Sequence, residues 1–125
     1  MSVLDASAVL ALLQKEPGSG VVASHLGAAR ISTVNASEVG SKLVDAGITV
    51  GAARATLGAL GIELVDFDAP QAWTASSLRS RTRTAGLSLG DRACIALGMH
   101  LDAPVVTADR HWLEFADVVE VVVVR

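Results

Sequence analysis

Residues 88–107 read SLGDRACIALGMHLDAPVVT. The first part, Ser88–Leu101, is the most apolar helical stretch of the chain, and the short β-branched run Val105–Thr107 follows it behind Pro104. A helix that feeds a strand must run antiparallel to that strand, as in the repeating unit of parallel α/β sheets. This segment therefore predicts a parallel sheet that is covered by helices.

The alternation of strands and helices continues through the rest of the chain. Periodicity and turn residues predict further strands at 2–4, 30–34, 62–67 and 118–124. They predict helices at 7–14, 21–26, 36–46, 50–60 and 68–83, and a helical turn at 110–115. The sequence thus predicts one α/β domain over residues 1–125, with a parallel central sheet of about five strands sandwiched by helices.

Composition limits the classes of function. The net charge of −3 argues against a general electrostatic hold on nucleic acid, which takes clustered Lys and Arg. A hydrophobic fraction of 51% leaves more apolar surface than a small monomer usually exposes, which indicates an oligomer or a bound partner. The single cysteine, Cys94, cannot form an internal disulfide, and no segment is suited to span a membrane. We therefore expect a cytoplasmic protein.

Four acidic residues lie beside predicted strand ends or helix starts. Asp5 and Asp109 follow strands, whereas Glu38 and Asp91 lie in the first turns of helices. The carboxyl ends of parallel strands share one edge of a sheet, so all four carboxylates should converge there. Unpaired carboxylates in one place repel one another unless a cation neutralises them. An all-oxygen set without His or Cys suits Mg²⁺ or Mn²⁺ and makes zinc an unsuitable ion.

Each acid also has a purely structural interpretation, and taken singly a cap is the simpler one. Capping boxes at Asn35-x-x-Glu38 and Ser88-x-x-Asp91 would explain two of the acids, and Glu38 could also form an ion pair with Lys42. Asp109 could cap a turn, and Asp5 could form an Asx-like or N-cap turn with Ser7. The convergence of four acids on one edge favours a metal site, and such a site can activate water for attack on a phosphodiester.

Four segments carry a family resemblance: VLDASAVLALL (3–13), NASEV (35–39), LSLGDRACIALG (87–98) and VVTADRHW (105–112). Together they resemble PIN-domain proteins, and specifically the VapC toxins of bacterial and archaeal type II toxin–antitoxin pairs. The resemblance covers nearly the whole chain. It implies a Mg²⁺- or Mn²⁺-dependent endoribonuclease that cleaves tRNA or rRNA.

The resemblance also implies roles for particular residues and partners. Asp5 and Asp91 become the main metal ligands, and Glu38 and Asp109 complete the pocket. Ser7 and Thr107, each two residues from an acid, become hydroxyl groups that orient carboxylates or water. A VapB-like antitoxin would neutralise the toxin by covering its apolar surface and presenting a basic side chain to the acids. Homodimers, and larger assemblies with the antitoxin, are expected.

Arg79, Arg81 and Arg83 form the only dense positive cluster in the sequence. They are candidates for contacts with RNA phosphates, although a helix end with solvated arginines explains them equally well. The three histidines show no metal-ligand spacing and are interpreted as structural.

Two other functions fit parts of the pattern. A phosphatase or response-regulator receiver domain also places an Asp after its first strand and binds Mg²⁺. Here, however, the residue two positions after Asp5 is Ser7, and the only lysines, Lys15 and Lys42, lie outside the late-strand positions where those folds need one. A catalytically silent PIN-like module that only binds RNA or a partner is the other alternative, and the presence of all four acids argues against it.

Overall fold

The computed structural model describes residues 1–81 and 86–125, and its centre is a five-stranded parallel sheet. The strands are β1 (Ser2–Leu4), β2 (Ala29–Ser32), β3 (Glu63–Val65), β4 (Val105–Thr107) and β5 (Val121–Val123). They lie in the order β3-β2-β1-β4-β5, and each neighbouring pair is parallel. The prediction of a parallel central sheet of about five strands is confirmed.

Helices cover both faces of this sheet. They are α1 (Ala6–Leu13), α2 (Ser19–Ser24), α3 (Thr33–Asp45), α4 (Val50–Ala59), α5 (Ala69–Ser77) and α6 (Leu89–Leu101), with short 3₁₀ helices at Leu26–Ala28 and Arg110–Phe115. Adjacent strand residues point to opposite faces, and the core is split accordingly. Leu4 packs in a cluster with residues of α1 to α4, whereas Val3 packs with Cys94 and other residues of α6. Among the residues described, no helix is long and apolar enough to cross a membrane.

Several predicted boundaries differ from the structure, among them the following three. The strand predicted at 30–34 ends at Ser32, because the Ser32 hydroxyl accepts a hydrogen bond from the Val34 N–H and caps α3. The strand predicted at 118–124 is shorter, because the N–H groups of Val118 and Val119 donate to the Phe115 carbonyl in a turn. The helix predicted at 68–83 is interrupted after α5 ends at Ser77, and residues 79–81 are helical again, whereas residues 82–83 of that prediction lie outside the described part of the chain.

The order of the strands creates a crevice beside β1. From β1 the chain builds outwards to β2 and β3 on one side, and β4 and β5 lie on the other. In open α/β sheets, ligands bind outside the carboxyl ends of the strands, at the point where the strand order reverses. Leu4 pairs with Val106, so the residue after β1, Asp5, lies beside Thr107 at the end of β4. The Asp5 N–H donates to the Val106 carbonyl at 2.9 Å.

Candidate active site

Asp5 lies at the base of the crevice and is almost completely buried, with 4% of its surface exposed. Although it occupies the N-cap position of α1, its side chain makes no capping hydrogen bond. Its Oδ2 atom instead accepts hydrogen bonds from the hydroxyls of Ser7 at 2.6 Å and Thr107 at 3.0 Å. The alternative of a helix cap at Asp5 is therefore wrong, although the predicted contact with Ser7 is present.

Burial raises the pKa of Asp5 to about 6, and the charges of Asp91 and Glu38 add to this shift. The hydroxyls of Ser7 and Thr107 act in the opposite direction, because they stabilise the ionised form. The balance shows that neutral donors compensate only part of the cost of burying this carboxylate. Asp5 therefore lies in a negative environment that a cation would relieve.

Ser7 and Thr107 join β1, α1 and β4 in a small hydroxyl network. Besides donating to Asp5, the Ser7 Oγ accepts from the Ala108 N–H at 3.0 Å, and the Thr107 Oγ1 accepts from the Asp109 N–H at 3.1 Å. The two hydroxyl oxygens are 3.3 Å apart. The network fixes Oδ2 of Asp5 and links it to the backbone segment that carries Asp109.

Glu38 is an exposed residue of α3, but its carboxylate is hydrogen-bonded to a neighbouring side chain. Its Oε1 atom accepts a hydrogen bond from the Asn35 side-chain amide at 2.8 Å. The capping box predicted at Asn35-x-x-Glu38 is wrong, because Ser32 is the N-cap and Asn35 lies inside the helix. The alternative ion pair with Lys42 is not found among the described residues.

Asp91 lies in the first turn of α6 and forms the predicted capping box. Its Oδ2 accepts from the Ser88 N–H at 2.9 Å, and its own N–H donates to the Ser88 hydroxyl at 3.2 Å. Burial raises the pKa of Asp91, and the charge of Asp109 raises it further, whereas Ser88 and Arg92 act to lower it. Asp91 thus caps a helix and also carries a perturbed charge in the crevice.

Asp109 caps the 3₁₀ helix at Arg110–Phe115, as its structural interpretation predicted. Its Oδ1 atom accepts from the His111 N–H at 2.9 Å and lies 2.8 Å from His111 Nδ1. The contact with the imidazole was not predicted, since the histidines were interpreted only by their spacing to one another. His111 is exposed, so this interaction lies at the outer side of the crevice.

The four acids share one pattern of hydrogen bonding. In the described part of the chain, the bonds to each carboxylate fall on a single oxygen: Oδ2 of Asp5, Oε1 of Glu38, Oδ2 of Asp91 and Oδ1 of Asp109. Among residues 1–81 and 86–125, no protein donor hydrogen-bonds to the second oxygen of any of the four. Residues 1–81 and 86–125 nevertheless contain no group of three or more His, Cys, Asp or Glu side chains already arranged to hold a metal ion. The structure brings the acids into one charged crevice but not into a closed ligand shell.

The arginine cluster is only partly described. Arg81 donates to both carboxylate oxygens of Asp117, at 3.0 and 2.9 Å, and its guanidinium carbon lies 5.1 Å from the centre of the Phe115 ring. These contacts favour the structural interpretation of Arg81. Arg79 lies on the exposed stretch that follows α5, and Arg83 lies outside the described residues.

Two residues of the crevice were not identified as functional from the sequence. Asn35 was interpreted only as a cap, although it shares the buried stripe of α3 with Val39 and Leu43 at a spacing of four residues. A polar residue on an apolar helical stripe is the signal that could have identified it. Gly90 lies against the Glu38 carboxylate, and that proximity between distant segments has no local sequence signal.

Comparisons with known proteins agree with this architecture. FitAcB of Neisseria gonorrhoeae is 25% identical, with a TM-score of 0.67 over 97% of this chain and 96% of that one. A toxin–antitoxin complex from Klebsiella pneumoniae is 16% identical, with a TM-score of 0.78 over 100% and 98% of the two chains. VapBC2 of Rickettsia felis, bound to promoter DNA, is also 16% identical, with a TM-score of 0.72 over 97% and 96%. At 16% identity the latter two matches support the fold alone.

No curated protein sequence matches the chain. A family model does match, and it is the model of the PIN domain, aligned with residues 2–118. That alignment contains all four acids of the crevice and every strand except β5. PIN domains are generally nucleases, and one of the structures named above, that from Klebsiella pneumoniae, is a toxin–antitoxin complex. The chain belongs to the PIN domain family.

Proposed function

We propose that this chain is the toxin of a type II toxin–antitoxin pair and acts as a Mg²⁺-dependent endoribonuclease. The observation that carries the proposal is the crevice at the point where the strand order reverses: each of its four acids has one oxygen that receives no hydrogen bond from the described residues. The capping roles of Asp91 and Asp109 use one oxygen of each carboxylate and leave the other available. Oxygens left in this way are suited to bind a hard ion.

The donor set fits Mg²⁺ or Mn²⁺. Mg²⁺ usually binds through one or two carboxylates and keeps several waters, so a crevice without a closed ligand shell is compatible with it. We assign Asp5 and Asp91 as main ligands, with Glu38 and Asp109 completing the set. The bound ion would polarise a phosphodiester and activate water for its hydrolysis.

Ser7 and Thr107 have a supporting role in this proposal. Their hydroxyls hold Oδ2 of Asp5, and together they stabilise the ionised form of a buried carboxylate. They keep the side chain in one orientation, and the network to the backbone of Ala108 and Asp109 keeps β1 and β4 in register. Groups that orient metal ligands in this way contribute strongly to metal affinity and to activity.

The proposed partner is a VapB-like antitoxin, by analogy with the toxin–antitoxin complex to which the fold is similar. A groove of about 520 Å³ runs between α3 and α4 and provides an apolar surface for it. Its apolar lining consists of Ala36, Val44, Val50, Ala53, Leu57 and Leu64. Since α3 also carries Glu38, a segment in the groove would lie on the helix that borders the crevice. A homodimer and a cytoplasmic location, where tRNA and rRNA are found, belong to the same proposal.

The proposal is tested with purified protein and total RNA. Wild type should produce discrete cleavage products with Mg²⁺ and none with EDTA, whereas Asp5→Asn and Asp91→Asn should each lower the rate by more than about 100-fold, beyond the usual effect of residues that only orient ligands. Expression of the chain alone should stop growth, and Asp5→Asn should abolish that effect.

Asp66→Asn is the matched control. Asp66 directly follows β3 at the same edge of the sheet but lies away from the strand reversal, and it is exposed. This variant should cleave RNA like wild type. Equal cleavage by wild type and Asp5→Asn would contradict the assignment of the site. Binding of RNA without Mg²⁺-dependent cleavage by wild type would support the silent binding module.

A further inference from the structure

Asn35 is fully buried and makes two side-chain hydrogen bonds that connect α3 with α6. Its amide nitrogen donates to Glu38 Oε1 at 2.8 Å and to the Gly90 carbonyl at 2.9 Å. Both partners can only accept, which fixes the orientation of the amide group. One side chain therefore holds the Glu38 carboxylate and the backbone of the residue directly before Asp91.

The orientation of the amide has an unfavourable consequence for folding. With its nitrogen on Glu38 and Gly90, the Asn35 Oδ1 atom is buried and has no hydrogen-bond partner among the described residues. A buried polar atom without a partner destabilises the folded state. An apolar residue of similar size would avoid this cost, so stability alone does not explain an asparagine here.

Gly90 completes the arrangement from the other side. A Cβ atom at this position would lie 2.6 Å from Glu38 Cδ and 2.8 Å from Oε2, with Oε1 nearer still. The Glu38 carboxylate therefore lies directly on the backbone of α6, in space that only glycine leaves open. Since Glu38 is otherwise an exposed side chain, Asn35 and Gly90 are what keep it in the crevice.

We propose that Asn35 is a positioning residue for the metal site: it fixes the Glu38 carboxylate against Gly90 and so sets the separation of Glu38 from Asp91. This inference rests on the proposed function, because Glu38 and Asp91 are assigned there as metal ligands. Asn35 itself contacts neither the metal nor the substrate. Its amide group limits the motion of the Glu38 carboxylate. It also links α3, which carries Glu38, to α6, which carries Asp91.

The test uses Asn35→Leu, which keeps the number and branching of the side-chain heavy atoms and removes both donors together with the unpaired oxygen. Mn²⁺ binding is measured by isothermal titration calorimetry, and thermal unfolding is measured in EDTA. We expect Mn²⁺ affinity to fall roughly 10–100-fold, the range found for groups that hydrogen-bond to metal ligands. The melting temperature in EDTA should stay equal or rise. RNA cleavage should recover as the Mn²⁺ concentration is raised.

Asn35→Thr keeps one donor and should give an affinity between those of wild type and Asn35→Leu, and it serves as the second variant if Asn35→Leu does not fold. Ser41→Ala, an exposed substitution further along α3, should change neither measurement. Wild-type Mn²⁺ affinity in both Asn35 variants, or no Mn²⁺ binding by wild type, would overturn the inference. Mn²⁺ binding without RNA cleavage by wild type would contradict the proposed function alone, because the affinities would still decide the role of Asn35.

Discussion

The acids of the crevice and three acids elsewhere on the surface are held by different partners. Away from the crevice, three carboxylates pair with arginines, in the pairs Glu63–Arg30, Asp117–Arg81 and Glu16–Arg125. In the crevice, the partners are hydroxyls, one amide, backbone N–H groups and one imidazole. Across residues 1–81 and 86–125, no lysine or arginine forms an ion pair with any of the four acids. In the described part of the chain, the charge of the crevice is therefore not neutralised by direct ion pairs with lysine or arginine.

This difference appears in the pKa values. Hydrogen bonds from Arg81 lower the pKa of Asp117, so its ionised form stabilises the folded state. Burial raises the pKa values of Asp5 and Asp91, so their ionised forms oppose folding. An ionised aspartate thus stabilises the folded state at the surface position and destabilises it in the crevice. A destabilised group that is kept in a crevice indicates a binding function.

The largest expected effect on stability comes from Asp5→Asn in metal-free protein. Because the pKa of Asp5 is about 6 in the folded state and 3.8 for the unperturbed group, the folded state binds the proton more tightly. Stability should therefore fall as pH rises from about 4 to about 6 and stay lower above that range. At pH 7 the variant should gain about 1–3 kcal/mol in free energy of unfolding, since one pKa unit corresponds to about 1.4 kcal/mol. Urea unfolding in EDTA measures this gain.

The pH dependence separates charge from packing. At pH 4 Asp5 is protonated in the folded state, so most of the gain from Asp5→Asn should disappear there. Saturating Mg²⁺ at pH 7 should stabilise wild type more than the variant, because only wild type keeps the main ligand. An equal gain at pH 4 and pH 7 would show that the effect does not come from the charge of Asp5.

Much of this contrast could be predicted from the sequence. The short strand before Asp5, the apolar helix at 88–101 and the strand before Asp109 predicted a parallel sheet, and sheet topology places residues after parallel strands at one edge. The capping roles of Asp91 and Asp109 were also predictable, because capping boxes and turn caps depend on residues three or fewer positions apart.

Features that depend on contacts between distant segments could not be predicted. The β-branched character of residues 30–34 predicted a longer strand. Because Ser32 caps α3, the helix begins at Thr33 instead of at residue 36, and Asn35 lies inside it. Its contact with Gly90 spans 55 residues of sequence. Likewise, the pairing of Arg81 with Asp117 spans 36 residues, and it changed the interpretation of that arginine.

Gly90→Ala should have an intermediate effect that separates activity from stability. The new methyl group would displace the Glu38 carboxylate, whose flexible side chain can move towards solvent. RNA cleavage should fall roughly tenfold or more, as for loss of a group that orients a metal ligand. The free energy of unfolding should stay equal or rise by up to about 1 kcal/mol, because alanine favours helix over glycine. Gly58→Ala in α4, where a Cβ atom meets nothing within 4 Å, is the control and should leave cleavage unchanged.

The smallest expected effect is that of Asp117→Asn, and its sign is opposite to that of Asp5→Asn. Because Arg81 lowers the pKa of Asp117, the ionised carboxylate stabilises the folded state above the unperturbed pKa of 3.8, and this contribution is lost as pH falls through the lowered value. The variant should therefore melt slightly below wild type at pH 7, and the difference should shrink at high salt, since both side chains are exposed. Thermal unfolding at low and high salt measures it. If removing the charge of Asp117 stabilised the protein as Asp5→Asn is expected to do, the net negative charge of the whole chain, rather than the crevice, would be the source of both effects.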